Sequence, residues 1–456
     1  MPTVNTKLSR WKQSVQKYLF AAPAIGKAEK AELTLEEFRR EAQTCIDAPF
    51  GEVDARNRAA RLGAAYAAFD EETRAEVLLM LLREFGPDRS EIDRCIERYQ
   101  QCRDDDCEGA ALALSRALQP RRMALLTRFT SLPDGVKFLV DMRSEILALT
   151  RRHRELKTLD ADFANLFKLW FDPGFLDIER VTWMSPGSVL EKLTEYEANH
   201  SIVSWKDLKN RLDGDRRCYT LFHPRMPQEP LTILHVALNR GIAANVQQLL
   251  DVETPITDPE EADTAVFYSI TSPQKGLRGI SFGEYLIKQA VKELRSELPD
   301  LHTFVTLSPV PGFRSWLDSH VVEADFDNLP FSPVTLDSAL DSLVSTPEPP
   351  WRPELEKLLS RKCLEYLTTM EGGRPLNSVA RFHLRNGAYI HRINLFGDMS
   401  KNGLRNAAGM MVNYGYNLRQ MESNLTLLQG GKLPVAGAVL KQAKAAGLNT
   451  EHLEGV

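Results

Sequence analysis

Cysteine is scarce in this chain of 456 residues: there are six, Cys45, Cys95, Cys102, Cys107, Cys218 and Cys363. No Cys-x-x-Cys or His-Glu-x-x-His pair occurs, so neither a zinc knuckle nor a zinc-protease helix is encoded. Only Cys95, Cys102 and Cys107 cluster. Their spacing fits no metal site, and reduced thiols are expected, with an intersubunit disulfide as the alternative. No apolar run is long enough to span a bilayer, so no membrane partner is expected. Neither sign of charge dominates: 57 basic residues against 62 acidic ones leave a net charge of -5, which argues against nucleic acid as the main partner. There is no visible repeat and no secretory apolar segment, and Glu454-Gly455-Val456 is not a peroxisomal address. Residues Met1 to Ala28 lack acidic side chains but carry Lys7, Arg10, Lys12, Lys17 and Lys27, either a transit-like balance or a basic first helix. The cytoplasm is the expected compartment.

What is present is a globular composition, 43% hydrophobic and 26% charged, in a chain too long for one ordinary core. From Leu33 to Phe167 the pattern is helical. Stretches at Leu35 to Thr44, Arg56 to Phe69, Glu71 to Phe85, Arg89 to Cys102, Cys107 to Leu118 and Gly135 to His153 are separated by short polar loops, as in an antiparallel bundle. Its histidine, His153, sits in a basic run that reads as a solvated face. After Leu166 the texture changes, which predicts a helical domain over 1–165 and a second, mixed-sheet domain over 166–456.

The second domain is organised around Thr264 to Phe313. The run Ala265-Val266-Phe267-Tyr268-Ser269-Ile270 reads as a strand, Gln274 to Gly279 as a glycine loop, and Phe282, Tyr285, Leu286, Ala290, Val291 and Leu294 as the apolar face of a helix. Ser281 and Glu284 have the spacing of a capping box. A helix that starts behind a glycine loop offers free N–H groups and a dipole to a pyrophosphate, and Lys275 and Arg278 add charge. Taken alone, such loops are often only turns. The strand Thr303 to Leu307 follows and ends in Ser308-Pro309-Val310-Pro311-Gly312, with Ser308 at the mouth of the turn. Further strands are expected at Arg217 to Phe222 and Leu231 to Leu238, with one parallel crossover in the sheet. Helices are expected at Leu336 to Leu343 and Pro353 to Thr368. The segment Ala380 to Tyr389 has Asn386-Gly387, a hairpin signal that would place His383 and Arg385 on one strand face and Phe382 and Leu384 on the other. Gly403 to Leu427 reads as a final amphipathic stretch containing Asn413-Tyr414-Gly415-Tyr416.

No Gly-x-Ser-x-Gly elbow surrounds Ser308, so a hydrolase reading lacks its usual support, and the hydroxyl could be a turn former. His383 could equally be a satisfied surface histidine, and His223 and His235 read as structural.

The segments Arg217-Cys218-Tyr219, Leu234-His235-Val236-Ala237-Leu238, Phe267-Tyr268-Ser269-Ile270, Gly276-Leu277-Arg278-Gly279, Leu307-Ser308-Pro309-Val310-Pro311-Gly312-Phe313, Phe382-His383-Leu384-Arg385-Asn386-Gly387-Ala388 and Arg392-Ile393-Asn394 closely resemble the malonyl-CoA decarboxylase family, in order, over most of Trp205 to Leu427. That resemblance implies an α+β protein, with an N-terminal helical bundle used in homo-oligomer assembly, as a dimer or tetramer, and a catalytic domain like the GNAT acetyltransferases. It implies malonyl-CoA as substrate, on a loop formed by Arg278, Gly279, Ile280, Ser281, Phe282, Gly283 and Glu284. It implies Ser308 and His383 as catalytic residues that also touch the substrate, and Tyr416 as a further active-site position. Some relatives carry a carboxylate where this chain has Ser281, so that position is assigned binding or capping and no proton transfer.

The chemistry is consistent with no cofactor. Losing carbon dioxide from a malonyl thioester leaves an electron pair beside a carbonyl, which holds it as an enolate. The protein need only orient the carboxylate, stabilise the oxygen and deliver one proton, for which histidine is suited because its ordinary pKa lies near working pH. Two alternatives come with this reading: a non-catalytic CoA-binding scaffold and a CoA-dependent acyltransferase.

Overall fold

A computed structural model describes residues 33–103, 107–280 and 282–456. The basic N-terminal segment and the serine of the expected capping box, Ser281, lie outside the described residues.

The chain divides into two compact units. The first comprises the chain through Leu176 together with His223–Pro227 and Gln274–Ser281. Its helices are α1 (Leu35–Asp47), α2 (Glu52–Ala68), α3 (Glu71–Glu84), α4 (Arg89–Gln101), α5 (Cys107–Ala117), α6 (Arg122–Phe129), α7 (Gly135–Leu149) and α8 (Leu156–Trp170). Short polar residues start several of them. Thr34 forms a reciprocal capping box with Glu37, and the Asp70 and Asp88 carboxylates accept from first-turn amides. The core of this unit is aliphatic and aromatic, including Phe38, Leu62, Leu78, Leu126, Phe129, Leu139, Phe163 and Phe167. Charged residues within it are paired: Arg122 with Asp162, and Arg143 with Asp160. Cys102 and Cys107 form a disulfide between α4 and α5, which corrects the expectation of reduced thiols for these two, while Cys45, Cys95, Cys218 and Cys363 are free thiols. The spacing alone could not reveal it, because the pairing depends on the fold bringing the two Cα atoms to 5.3 Å.

The second unit holds a ten-stranded mixed sheet. In chain order its strands are β1 (Asp177–Val181), β2 (Arg216–Phe222), β3 (Thr232–Asn239), β4 (Thr264–Thr271), β5 (Thr303–Thr306) and β6 (Ser308–Pro309). The separate hairpin β7 (Met370–Glu371) and β8 (Arg374–Pro375) follows, then β9 (Tyr389–Asn394), β10 (Met411–Gly415), β11 (Leu433–Val435) and β12 (Leu453–Gly455). The order across the sheet is β1-β2-β3-β4-β5-β10-β9-β11-β12, with β6 pairing on β10. The expected parallel crossover is β4 to β5, made by α9 (Gly283–Glu297); two further parallel pairs, β9 with β11 and β11 with β12, were not legible. Pairing of β4 with β5 stops at Phe267 and Thr306, and the short β6 beyond it pairs only with β10. The chain thus carries Ser308 away from β4 just after the centre of the sheet.

One sequence expectation fails here. The residues read as a hairpin at Ala380 to Tyr389 instead begin with a helix, α11 (Ser378–Arg385), which comes after α10 (Phe313–His320) and the helices Leu336–Ser345 and Arg352–Thr368 in the chain. Asn377 caps α11 by accepting from Ala380 N at 2.8 Å, and Ala380, His383 and Leu384 are buried at helical spacing. His383 therefore points inward with Leu384, not to a polar strand face. Asn386-Gly387 ends the helix rather than turning a hairpin, with Gly387 in the left-handed region at φ 80°. The amphipathic stretch Gly403 to Leu427 has β10 at its centre, so Tyr414 belongs to the middle of the sheet and Tyr416 directly follows it. At the start of α9 the N-cap position is Phe282 and Glu284 pairs forward with Lys288; the expected capping box falls on Ser281, outside the described residues.

Candidate active site

Ser308, His383 and Tyr416 come together although they are far apart in sequence. Ser308 Oγ lies 3.1 Å from His383 Nε2, and His383 Nδ1 lies 2.8 Å from the Tyr416 hydroxyl. Ser308 Oγ also donates to Thr306 Oγ1 at 2.9 Å. All four side chains are buried; Ser308, at 7% exposure against 3% for His383, is the end of the dyad nearer solvent. Tyr414 stacks on the imidazole with ring centres 4.6 Å apart, and Phe382 and Tyr416 pack edge-on.

Each member is held by backbone. Ser308 pairs with Val412 of β10, and the Tyr416 amide donates to Phe304 O at 2.8 Å. A register shift in the β9–β10 ladder falls between Asn413 and Tyr414 and re-aims the following tyrosines. Asn377 links the serine turn to the histidine helix: while capping α11 it donates from Nδ2 to Pro311 O at 3.0 Å, the same carbonyl that accepts from the Tyr366 hydroxyl. Asn377→Ala is expected to cost about 1–3 kcal/mol of stability, read as a lower urea midpoint, since it removes a cap and a buried bond together. An unchanged midpoint would refute that role.

Burial pushes the His383 pKa down to about 3, with no charged neighbour to oppose it. The imidazole of the free chain is therefore neutral, which departs from the expectation of a histidine titrating near working pH. Burial, and then the Glu284 carboxylate, holds the Tyr416 hydroxyl well above its ordinary value.

The remaining expected residues divide between the two units. Arg278, Gly279 and Ile280 belong to the helical unit, in a loop anchored where Arg143 of α7 donates to Gly276 O at 2.7 Å. Arg278 and Gly279 are exposed. Phe282, Gly283 and Glu284 belong to the sheet unit at the start of α9. A β-carbon on Gly283 would sit 2.3 Å from the Phe382 ring, so only glycine lets α9 start against the residue preceding His383. Gly279-Ile280-Ser281-Phe282-Gly283 spells a nucleophile-elbow pattern, but it follows a 3-10 turn rather than a strand, and the elbow chemistry needs the strand-to-helix turn. His223 is satisfied at both ring nitrogens within the helical unit, by Trp170 O and Arg225 N. Among the described residues no group of histidine, cysteine and carboxylate side chains could hold a metal ion. Thr306 and Asn377 were missed by sequence reasoning; the Asn-x-x-Ala capping pattern at Asn377 was the only signal available.

A buried hydroxyl and a neutral imidazole in one hydrogen-bonded line, enclosed by tyrosines at the centre of a mixed sheet, define an enzyme of the acid–base class. The chain belongs to the malonyl-CoA decarboxylase family: residues 174–452 match the model of the malonyl-CoA decarboxylase C-terminal domain and residues 85–171 that of the N-terminal domain. It is 38% identical over 391 residues to the protein of Anser anser anser named malonyl-CoA decarboxylase, mitochondrial, covering 79% of this chain and 77% of that one. The protein of the same name from Rattus norvegicus is 37% identical over 393 residues, covering 79% of each. Among solved structures, malonyl-CoA decarboxylase from Rhodopseudomonas palustris superposes with a TM-score of 0.78 at 40% identity, over 90% of this chain and all of that one (100%). The Agrobacterium vitis enzyme superposes with a TM-score of 0.79 at 37% identity, covering 89% and 99%.

Proposed function

We propose that this chain converts malonyl-CoA to acetyl-CoA and carbon dioxide without a cofactor, as a carboxy-lyase, with His383 delivering the proton and Ser308 assisting. The observation that carries it is the 3.1 Å contact between Ser308 Oγ and His383 Nε2 inside a buried network. Breaking the bond to the carboxylate releases carbon dioxide and leaves the pair on the carbon beside the thioester carbonyl, as an enolate. Reprotonation consumes one proton. Burial alone holds His383 neutral, and the malonyl carboxylate brings the negative charge that favours the protonated ring. The proton thus enters with the substrate and passes from Nε2 to carbon, directly or over Ser308 Oγ. Tyr416, whose hydroxyl can donate or accept, serves Nδ1 in either state.

Malonyl-CoA binding is assigned to Arg278, Gly279, Ile280, Ser281, Phe282, Gly283 and Glu284, together with Ser308, His383 and Tyr416. The parting of β4 and β5 supports a catalytic domain of the acetyltransferase-like kind. Among the described residues no helix is long and apolar enough to cross a membrane. The cytoplasm is the proposed compartment; the names of the relatives, which carry the word mitochondrial, and the basic segment Met1 to Ala28 point the other way, so imaging of the tagged full chain decides. The helical domain is proposed to assemble a homodimer or homotetramer, which light scattering with and without reductant reads directly.

The deciding assay incubates pure protein with malonyl-CoA, with and without an added amine. Equal carbon dioxide and acetyl-CoA in both arms is the expected result. Product that requires the amine would mean acyl transfer, and binding without turnover would mean a scaffold.

A further inference from the structure

The Ser308 hydroxyl has one proton, and its geometry directs that proton to Thr306 Oγ1 at 2.9 Å. Thr306 stands at the end of β5 and is fully buried. Its Oγ1 also accepts the Tyr414 amide at 3.1 Å, and its carbonyl accepts Asn413 Nδ2 at 2.6 Å. Both lone pairs of Thr306 Oγ1 are thereby occupied, and both donors come from fixed positions. With its proton committed, Ser308 Oγ faces His383 Nε2 as an acceptor, so that nitrogen must carry the hydrogen. Nδ1 is then bare and accepts from the Tyr416 hydroxyl.

We propose that Thr306 is a positioning residue for the decarboxylation: it holds the Ser308 hydroxyl so that the neutral ring of His383 keeps its proton on Nε2, the side facing the serine. Without the threonine acceptor the serine proton is free to swing to Nε2. The ring then becomes the Nδ1–H tautomer, Tyr416 turns from donor to acceptor, and the serine hydroxyl must turn away from a bare Nε2 before the proton that enters with the substrate can be held there and passed on. Both tautomers contain the same atoms, so the choice rests on the acceptor that Thr306 offers the serine proton.

This inference rests on the decarboxylase reading for its effect on rate, though not for its effect on the tautomer. Thr306→Val removes the acceptor at nearly constant volume, and Thr306→Ser restores it. With ¹⁵N-histidine labelling, the full chain and Thr306→Ser are expected to show His383 protonated at Nε2, and Thr306→Val to show the Nδ1–H form or a mixture. On malonyl-CoA, kcat of Thr306→Val is expected to fall about tenfold with KM little changed, and Thr306→Ser to recover most of it. A folded Thr306→Val chain with wild-type tautomer and kcat overturns the proposal, as does Thr306→Ser behaving like the valine variant. If the unmodified chain turned over no malonyl-CoA, the decarboxylase reading would fail while the tautomer measurement still judged Thr306.

Discussion

His383→Ala is expected to lower kcat for malonyl-CoA by roughly 10²- to 10⁴-fold, the usual worth of a positioned proton donor. KM should change far less, because the role proposed for the imidazole, enclosed by Tyr414, Phe382 and Tyr416, is confined to the proton transfer. Ser308→Ala should cost kcat as well. The double variant should lose little more than the worse single one, since two groups joined by one hydrogen bond act as a unit. The loss must be separated from misfolding, as removing a buried ring leaves a cavity; the measurement is steady-state kinetics beside the thermal midpoint. A His383→Ala chain that folds and keeps its kcat would remove the histidine from the mechanism.

Acid is expected to weaken the sheet unit strongly between pH 6.5 and 4, before most carboxylates titrate. Burial lowers the His383 pKa to about 3. His235, fully enclosed on β3, is lowered to about 4, again by burial first; the Glu197 carboxylate 3.5 Å away and Asp207 oppose this, and Arg211 and His200 reinforce it. His200 is lowered in the same direction by its own burial. A depressed folded-state pKa means that the unfolded chain binds protons first as pH falls below 6.5, so stability present at pH 7 is lost on the way down. At pH 4 the loss is about 3 kcal/mol for His235 and about 3 kcal/mol for His383. Urea midpoints at pH 7, 6, 5 and 4 read it out, and His235→Gln should remove about half of the slope. A flat profile across this window would show that these rings are not held neutral.

The bundle was legible because each helix carries its own start signal and its own apolar face; Leu35, Glu71, Arg89 and Cys107 each begin a helix where the sequence places one. The strands around Tyr219, Leu234 and Phe267 were legible for the same local reason: their β-branched and aromatic runs fit no other element. Where a segment supports two periods, sequence alone chose wrongly. Ala380 to Tyr389 has both an alternating pattern and a capped helical one, and Asn386-Gly387 can close a hairpin or end a helix.

Composition, periodicity and ordered motifs were therefore enough to place a helical half, a mixed-sheet half and the family that links Ser308 with His383. Tertiary structure decided what those two residues can do, because a proton's position depends on neighbours brought in from other strands. Thr306 at the end of β5, Tyr416 directly after β10 and Asn377 ahead of α11 hold the hydroxyl and the ring in place, and burial keeps the histidine neutral. Apart from the contact of Ser308 with Thr306 two residues away, these contacts join residues far apart in the chain, and burial, which sets the histidine's charge, belongs to the folded molecule alone.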